Sequence, residues 1–289
     1  MNKFESQKKI DQHVILKSTV FIVVCLLFSF NAYGHSLYIQ SSRYKVHEGK
    51  RSPLFFCYGH HIPVDDGVKG KKLKYIKIQS PGAAVQELEI RNETCLHSYM
   101  VNYSTPGTYV LSAETTPGYY TVYIDKKGRE RHTIKPKSAV IKNAQKIIKS
   151  LYSKQYTKTY VVCDTPSSNF PSHVGLNLEL VPVKDISTLK SGETLELIVY
   201  YKGKPYKGEG TWDATFNGFS TESEDNFYPK TRVSGSDRIK IPIPNAGRWF
   251  VRYFIKIDAK GEELEKFSQM KYTASLVFQI PNKKKEANL

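Results

Sequence analysis

From Ser36 to about Asp125 the chain is a series of short runs, alternating apolar and polar or apolar throughout. They are Leu37–Ile39, Leu54–Tyr58, Leu73–Ile78, Val85–Ile90, Tyr99–Tyr103, Tyr109–Ala113 and Tyr119–Ile124. Pro81-Gly82, Pro106-Gly107 and Pro117-Gly118 punctuate them. A period of two between such turn dipeptides predicts strands, and strands at this spacing predict an antiparallel sandwich. The same texture returns at Leu176–Val181, Thr194–Tyr201, Gly210–Phe216, Ile239–Ile243, Trp249–Ile257 and Tyr272–Ile280. Trp249, Val251, Tyr253 and Ile255 make one alternating face suited to the space between two sheets.

Two stretches differ. Between Ser138 and Leu151 the apolar residues Val140, Ile141, Ala144, Ile147, Ile148 and Leu151 recur at helical spacing, with Lys142, Lys146 and Lys149 between them. That spacing predicts an amphipathic helix packed on a domain, its basic side leaving proximity to a membrane surface open. Asp164–His173 is rich in Pro and Ser, as a linker is. The expected order is a leader over 1–34, a β-sandwich over 35–137, a helix and linker over 138–173, an immunoglobulin-like sandwich over 174–281 and a polar tail over 282–289. The fold class is all-β: two consecutive antiparallel sandwiches joined by a short helix.

The leader changes the chemistry. Lys3, Lys8, Lys9 and Lys17 precede the apolar run Ser18–Phe30, and Ala32-Tyr33-Gly34 offers small residues for cleavage. This is the pattern of a secretory signal, so the protein is expected to be exported, as to a periplasm, with His35 first in the mature chain. A free α-amine and the imidazole of the same residue can chelate one metal ion, and the amine loses its proton near pH 7.7–8.0, about where little work is needed at neutrality. Composition adds less. Aromatics at 12% suit β structure, and a net charge of +16 bears on partners alone. The lysines are spread along the chain, with no aromatic-basic signature, and export argues further against nucleic acid.

The sharpest local feature is Cys57-Tyr58-Gly59-His60-His61-Ile62-Pro63-Val64-Asp65-Asp66, closing a strand. Strict alternation would send His60 and His61 to opposite faces unless the chain turns at Gly59, which allows close backbone approach. His47, His97, His132 and the Asp65/Asp66 pair are weaker candidates. Imidazole and amine donors suit nickel, cobalt, copper or zinc. Cys57 and Cys95 are the candidate disulfide, with Cys163 left in the linker, although three mature cysteines allow three pairings. Phosphate loops, zinc-protease helices, hydrolase elbows and C-x-x-C pairs are all missing from the sequence, so no enzyme is expected.

These residues resemble the NikM-type periplasmic component family associated with bacterial nickel uptake. The likeness rests on His35-Ser36-Leu37-Tyr38, with Tyr38 where the family has Trp, and on Gly59-His60-His61-Ile62-Pro63, with Ile62 replacing an aromatic. It continues through Leu178–Pro182, Leu189–Glu193, Gly203-Lys204-Pro205, Ala246–Trp249 and Tyr272–Phe278, and departs at Arg232–Asp237. The resemblance implies two sandwich-like domains outside the cytoplasmic membrane, membrane uptake components as partners, and His35 and His60 as metal ligands. The expected site is therefore the amine and imidazole of His35 with the imidazole of His60, and His61 or His132 as a further donor. Two rival expectations are a metal-free surface or adhesion module that binds protein or glycan, and a copper-dependent oxidative enzyme built on the N-terminal His.

Overall fold

The computed structural model describes residues 35–82, 84–170, 173–219 and 230–282; the leader and the tail from 283 lie outside them. Strands dominate. The first are β1 (Ser36–Ser41), β2 (Lys45–Val46), β3 (Lys50–Gly59), β4 (Val68–Lys69), β5 (Leu73–Gln79), β6 (Val85–Glu87) and β7 (Thr94–Cys95). Next come β8 (Ser98–Tyr103), β9 (Gly107–Thr115), β10 (Gly118–Asp125), β11 (Glu130–Thr133) and β12 (Ala144–Cys163). The second half adds β13 (Leu178–Pro182), β14 (Thr194–Tyr201), β15 (Lys204–Pro205), β16 (Gly210–Phe216) and β17 (Thr231–Val233). It closes with β18 (Arg238–Pro242), β19 (Gly247–Asp258), a short helix α1 (Glu263–Lys266) and β20 (Gln269–Ile280).

A large sheet runs β17-β16-β19-β20-β12-β9-β5-β6, with β10, β11 and β2 attached beside it. Two small sheets cover its opposite faces. On one face Leu37, Ile39, Leu54, Phe56 and Val101 of the β1-β3-β8 sheet pack on Ile76, Ile78, Leu111, Ala113 and Val161. On the other, Leu178, Leu180, Leu195, Leu197, Val199 and Ile241 of the β13-β14-β18 sheet pack on Tyr156, Trp249, Val251, Tyr253, Ala274 and Leu276. Alternation explains the arrangement: successive residues of β9, β12 and β20 feed the two cores in turn. The expected inward face of Trp249, Val251, Tyr253 and Ile255 is fully buried as read.

Three expectations change. The residues expected to form a helix over 138–151 instead give a single 3-10 turn at Lys137–Ala139 and then enter β12. The helical spacing has a strand origin. Where β10 meets β12, the register slips between Val122 and Tyr123 and again between Ile124 and Asp125. Each slip inserts an extra residue and breaks the period of two, so Ile147, Ile148 and Leu151 fall at spacings that mimic a helix. The helix that would have carried membrane-surface proximity is therefore not formed.

Second, the two sandwiches are not self-contained. The 20-residue β12 pairs with β9 and β10 of the first half and, in parallel, with β20 of the second. From His35 onward the chain is one compact unit. Third, the candidate disulfide does not form: Cys57, Cys95 and Cys163 are all free thiols. Cys57 faces Tyr38 and Phe250, whereas its neighbour Phe56 turns to Tyr99 on the other side, where the segment carrying Cys95 lies. The Cys57 side chain is packed among Tyr38, Tyr44, Phe250 and Val277, while Cys95 belongs to a different sheet, β4-β7.

Strand β1 is an edge strand whose unpaired backbone groups require partners. Side chains of the large sheet supply them. Leu37 N donates to Gln155 Oε1 (2.6 Å), Ile39 N donates to Thr157 Oγ1 (3.0 Å), and Ser275 Oγ donates to Leu37 O (2.7 Å). Gln155 and Thr157 on one face of β12, with Ser275 of β20, are thus the seat for the start of the described chain.

Candidate metal centre

Register brings the two leading candidates together. Ser36 of β1 pairs with Gly59 of β3 in an antiparallel ladder, so His35 and His60 flank the last pair. Cross-strand neighbours at this place have Cβ atoms about 4.5–5.5 Å apart. The two rings lie with centroids 5.1 Å apart and planes inclined by 38°. The His35 ring also lies 5.5 Å from that of Tyr58, and its carbonyl accepts from Gln155 Nε2 (2.9 Å). His35 is exposed and His60 is buried.

The turn after Gly59 is wound around Asp65. Its Oδ2 accepts from His60 N (2.5 Å), His61 N (2.9 Å) and His61 Nδ1 (3.1 Å), while Oδ1 accepts from Asp66 N (3.0 Å). Burial alone would raise this carboxyl; the backbone donors of His60 and His61 hold it below its usual range instead. A Cβ on Gly59 would overlap the Asp65 carboxylate, so the glycine's close approach is required here. Tyr38 Oη donates to His61 O and Gln40 Nε2 to Pro63 O, which pins the loop to β1.

Behind His60 stands an ion pair. Arg252 donates through Nε and Nη2 to the two oxygens of Asp213, both at 2.7 Å, from paired positions of β19 and β16. Its Nη1 reaches His60 Nδ1 at 3.3 Å and Ser36 Oγ at 3.4 Å. Burial, then the Arg252 charge, then His35 push the His60 imidazole down to about 4, so it is neutral at neutral pH. A guanidinium only donates, so the ring accepts at Nδ1 and carries its proton on Nε2. The surroundings are basic: burial followed by the charges of Arg252 and neighbouring lysines lowers both Lys230 and Lys271 to about 8.

The other candidates separate from this pair. His61 gives Nδ1–H to Asp65, which leaves its buried Nε2 with no partner among the described residues. Even so, the imidazoles of 35, 60 and 61 do not place three nitrogens within 4.8 Å of one another. His132 is corrected outright. It is exposed on β11 opposite Val122, which pairs with Lys149 of β12. Lys149 is six residues from Gln155, hence about 20 Å away at about 3.3 Å per residue. His47 pairs with Asp164 at the surface (2.8 Å).

A family model described as a domain of unknown function, DUF4198, matches residues 32–257. The chain belongs to the DUF4198 family. Among curated proteins no match is found. Solved structures similar to this DUF4198 chain include the D0–D1 domain of intimin, at 10% identity over 86% of this chain and 100% of that one, TM-score 0.21. Murine CEACAM1b is similar at 10% identity over 85% and 99%, TM-score 0.19. Escherichia coli α2-macroglobulin activated by porcine elastase is similar at 8% identity over 86% of this chain and 20% of that one, TM-score 0.21.

Arg252, Asp213 and Gln155 were not singled out from the sequence. A signal was present for two of them. Asp213 interrupts the apolar run Gly210–Phe216, and Arg252 interrupts Trp249–Ile257, each at mid-strand. Charges at such positions are seldom fully buried unless paired.

Proposed function

We propose that this DUF4198 protein binds a divalent transition metal of the nickel or cobalt type outside the cytoplasm and serves a membrane uptake system. The reading rests on the 5.1 Å approach of the His35 and His60 rings. The sequence likeness to NikM-type components supports the uptake role. With His35 at the mature N-terminus, its α-amine and imidazole would chelate the ion and His60 would supply a third nitrogen. His61, with its tautomer set by Asp65, offers a lone pair from the same turn. Copper would bind most tightly of the series in vitro, so geometry and supply would set the metal in the cell.

Calorimetry with nickel, cobalt, copper and zinc tests this on protein beginning at His35 and on protein carrying one extra residue before it. The extra residue acylates the amine and is expected to weaken binding at least tenfold. Equal binding by the two forms, or no change in His60→Ala, would overturn the reading.

A further inference from the structure

A second group of ligand-type side chains lies on the ribbon β4–β7, away from His35. Val68 pairs with Cys95 and Lys69 with Thr94. The segment from Glu93 lies flush on β4 because Gly67 leaves the space that a Cβ would take, 2.7 Å from the Cys95 carbonyl carbon. Cys95 lies on the short strand β7, Glu93 in the bend just before it and His97 two residues after Cys95. Each offers a ligand atom, and the three atoms lie within 4.8 Å of one another.

The decisive group is His97, which is fully buried. Its Nε2 faces two carbonyls, Val68 O at 3.0 Å and Glu93 O at 3.2 Å. Carbonyls only accept, so Nε2 carries the ring proton and Nδ1 the lone pair. That buried Nδ1 has no hydrogen-bond partner among the described residues. An imidazole with one nitrogen held by backbone carbonyls and the other lone pair unspent, in a cluster with a thiol and a carboxylate, is how proteins prepare a metal ligand. Cys95 is half-buried and Glu93 exposed, so the cluster opens to solvent. Arg91 Nε contacts Glu93 Oε1 at 3.2 Å, and the Glu93 carboxylate also accepts from the Cys95 thiol, whose proton a metal would replace.

We propose that Glu93, Cys95 and His97 form a second metal site for a divalent cation of the zinc type, held by thiolate sulfur, Nδ1 and a carboxylate oxygen. Binding converts the Cys95 thiol to thiolate and releases its proton to solvent, and the fourth tetrahedral position is open. Tetrahedral zinc places its ligand atoms about 3.5 Å apart, a spacing that adjustment of the Glu93 and Cys95 side chains, both open to solvent, can reach. No part of this depends on His35.

Cobalt(II) is the probe, added to the full metal-stripped chain under reducing conditions. A thiolate-to-cobalt charge-transfer band saturating at one equivalent and displaced by zinc is expected. The His35–His60 pair contains no sulfur and cannot produce that band, so it should survive His35→Ala and Cys57→Ser and vanish in Cys95→Ser. Glu93→Gln, at an exposed position, is expected to weaken cobalt binding at least tenfold with an unchanged far-ultraviolet circular dichroism spectrum. Absence of the band in the parent protein, or its persistence in Cys95→Ser, overturns the site.

Discussion

Arg252 Nη1 stands 3.3 Å from His60 Nδ1 while the rest of its guanidinium clasps Asp213. The contact and metal binding at His60 exclude one another. A metal at Nδ1 displaces the arginine, and a metal at Nε2 moves the ring proton to Nδ1, where it meets the N–H of Arg252. Burial and the Arg252 charge together keep His60 neutral, and the proposed metal would have to break this contact.

Burial of the His60 ring, with the Arg252 charge beside it, sets a pH dependence of the metal-free protein. His60 titrates near 4 when folded and near 6.5 when unfolded. Between those values the unfolded chain holds more protons, so stability rises with pH and is lost as pH falls from 6.5 towards 4. The expected loss is about 2 kcal/mol, solvent at the open edge of the ring having screened part of the full effect. Urea denaturation at pH 7, 5.5 and 4.5 should show this excess loss in the parent protein relative to His60→Asn. Parallel curves for the two proteins would contradict it.

Gln155 is a positioning residue. Its amide grips both His35 O (2.9 Å) and Leu37 N (2.6 Å), which fixes where His35 meets His60. Gln155→Ala is expected to weaken metal binding roughly tenfold, as loss of an outer support does, with a change in folding stability of about 1 kcal/mol. Calorimetry and thermal melts on the same samples separate the two effects. Unaltered affinity would show that His35 and His60 meet without this side chain.

On the opposite face, Lys158 of β12 meets Glu179 at 2.5 Å, both side chains essentially inaccessible. Glu179 also accepts from the backbone of Val174, Gly175 and Leu176. Burial drives the Lys158 ammonium down, and the Glu179 charge opposes that shift. Glu179→Ala strips the lysine of its counter-charge and three N–H groups of their acceptor, and should destabilise by about 3–5 kcal/mol. A denaturant midpoint close to the parent's would mean that the pair is structurally idle.

Most strands were legible because their faces differ. Trp249, Val251, Tyr253 and Ile255 meet a core while their neighbours meet another environment, and that contrast is written in the alternation. The segment from Ala144 defeated the same reasoning, since two bulges against β10 shift the phase that the eye follows. The close approach at Gly59 was legible because a glycine before a polar turn has few other uses. The seat formed by Gln155, Thr157 and Ser275 was not, because it depends on an edge strand 118 or more residues away along the chain. His132 differs for the mirror-image reason: sequence shows a donor's type and hides that its short strand β11 lies, across β10, by the far end of β12.

Ala144–Cys163 threads both sandwiches as one unbroken backbone. A cut between the two sandwiches divides the large sheet, so neither half can be excised or grafted as a free-standing module. Damage at one cover would be felt beneath the other, and the body should melt as one block rather than as two beads on a string.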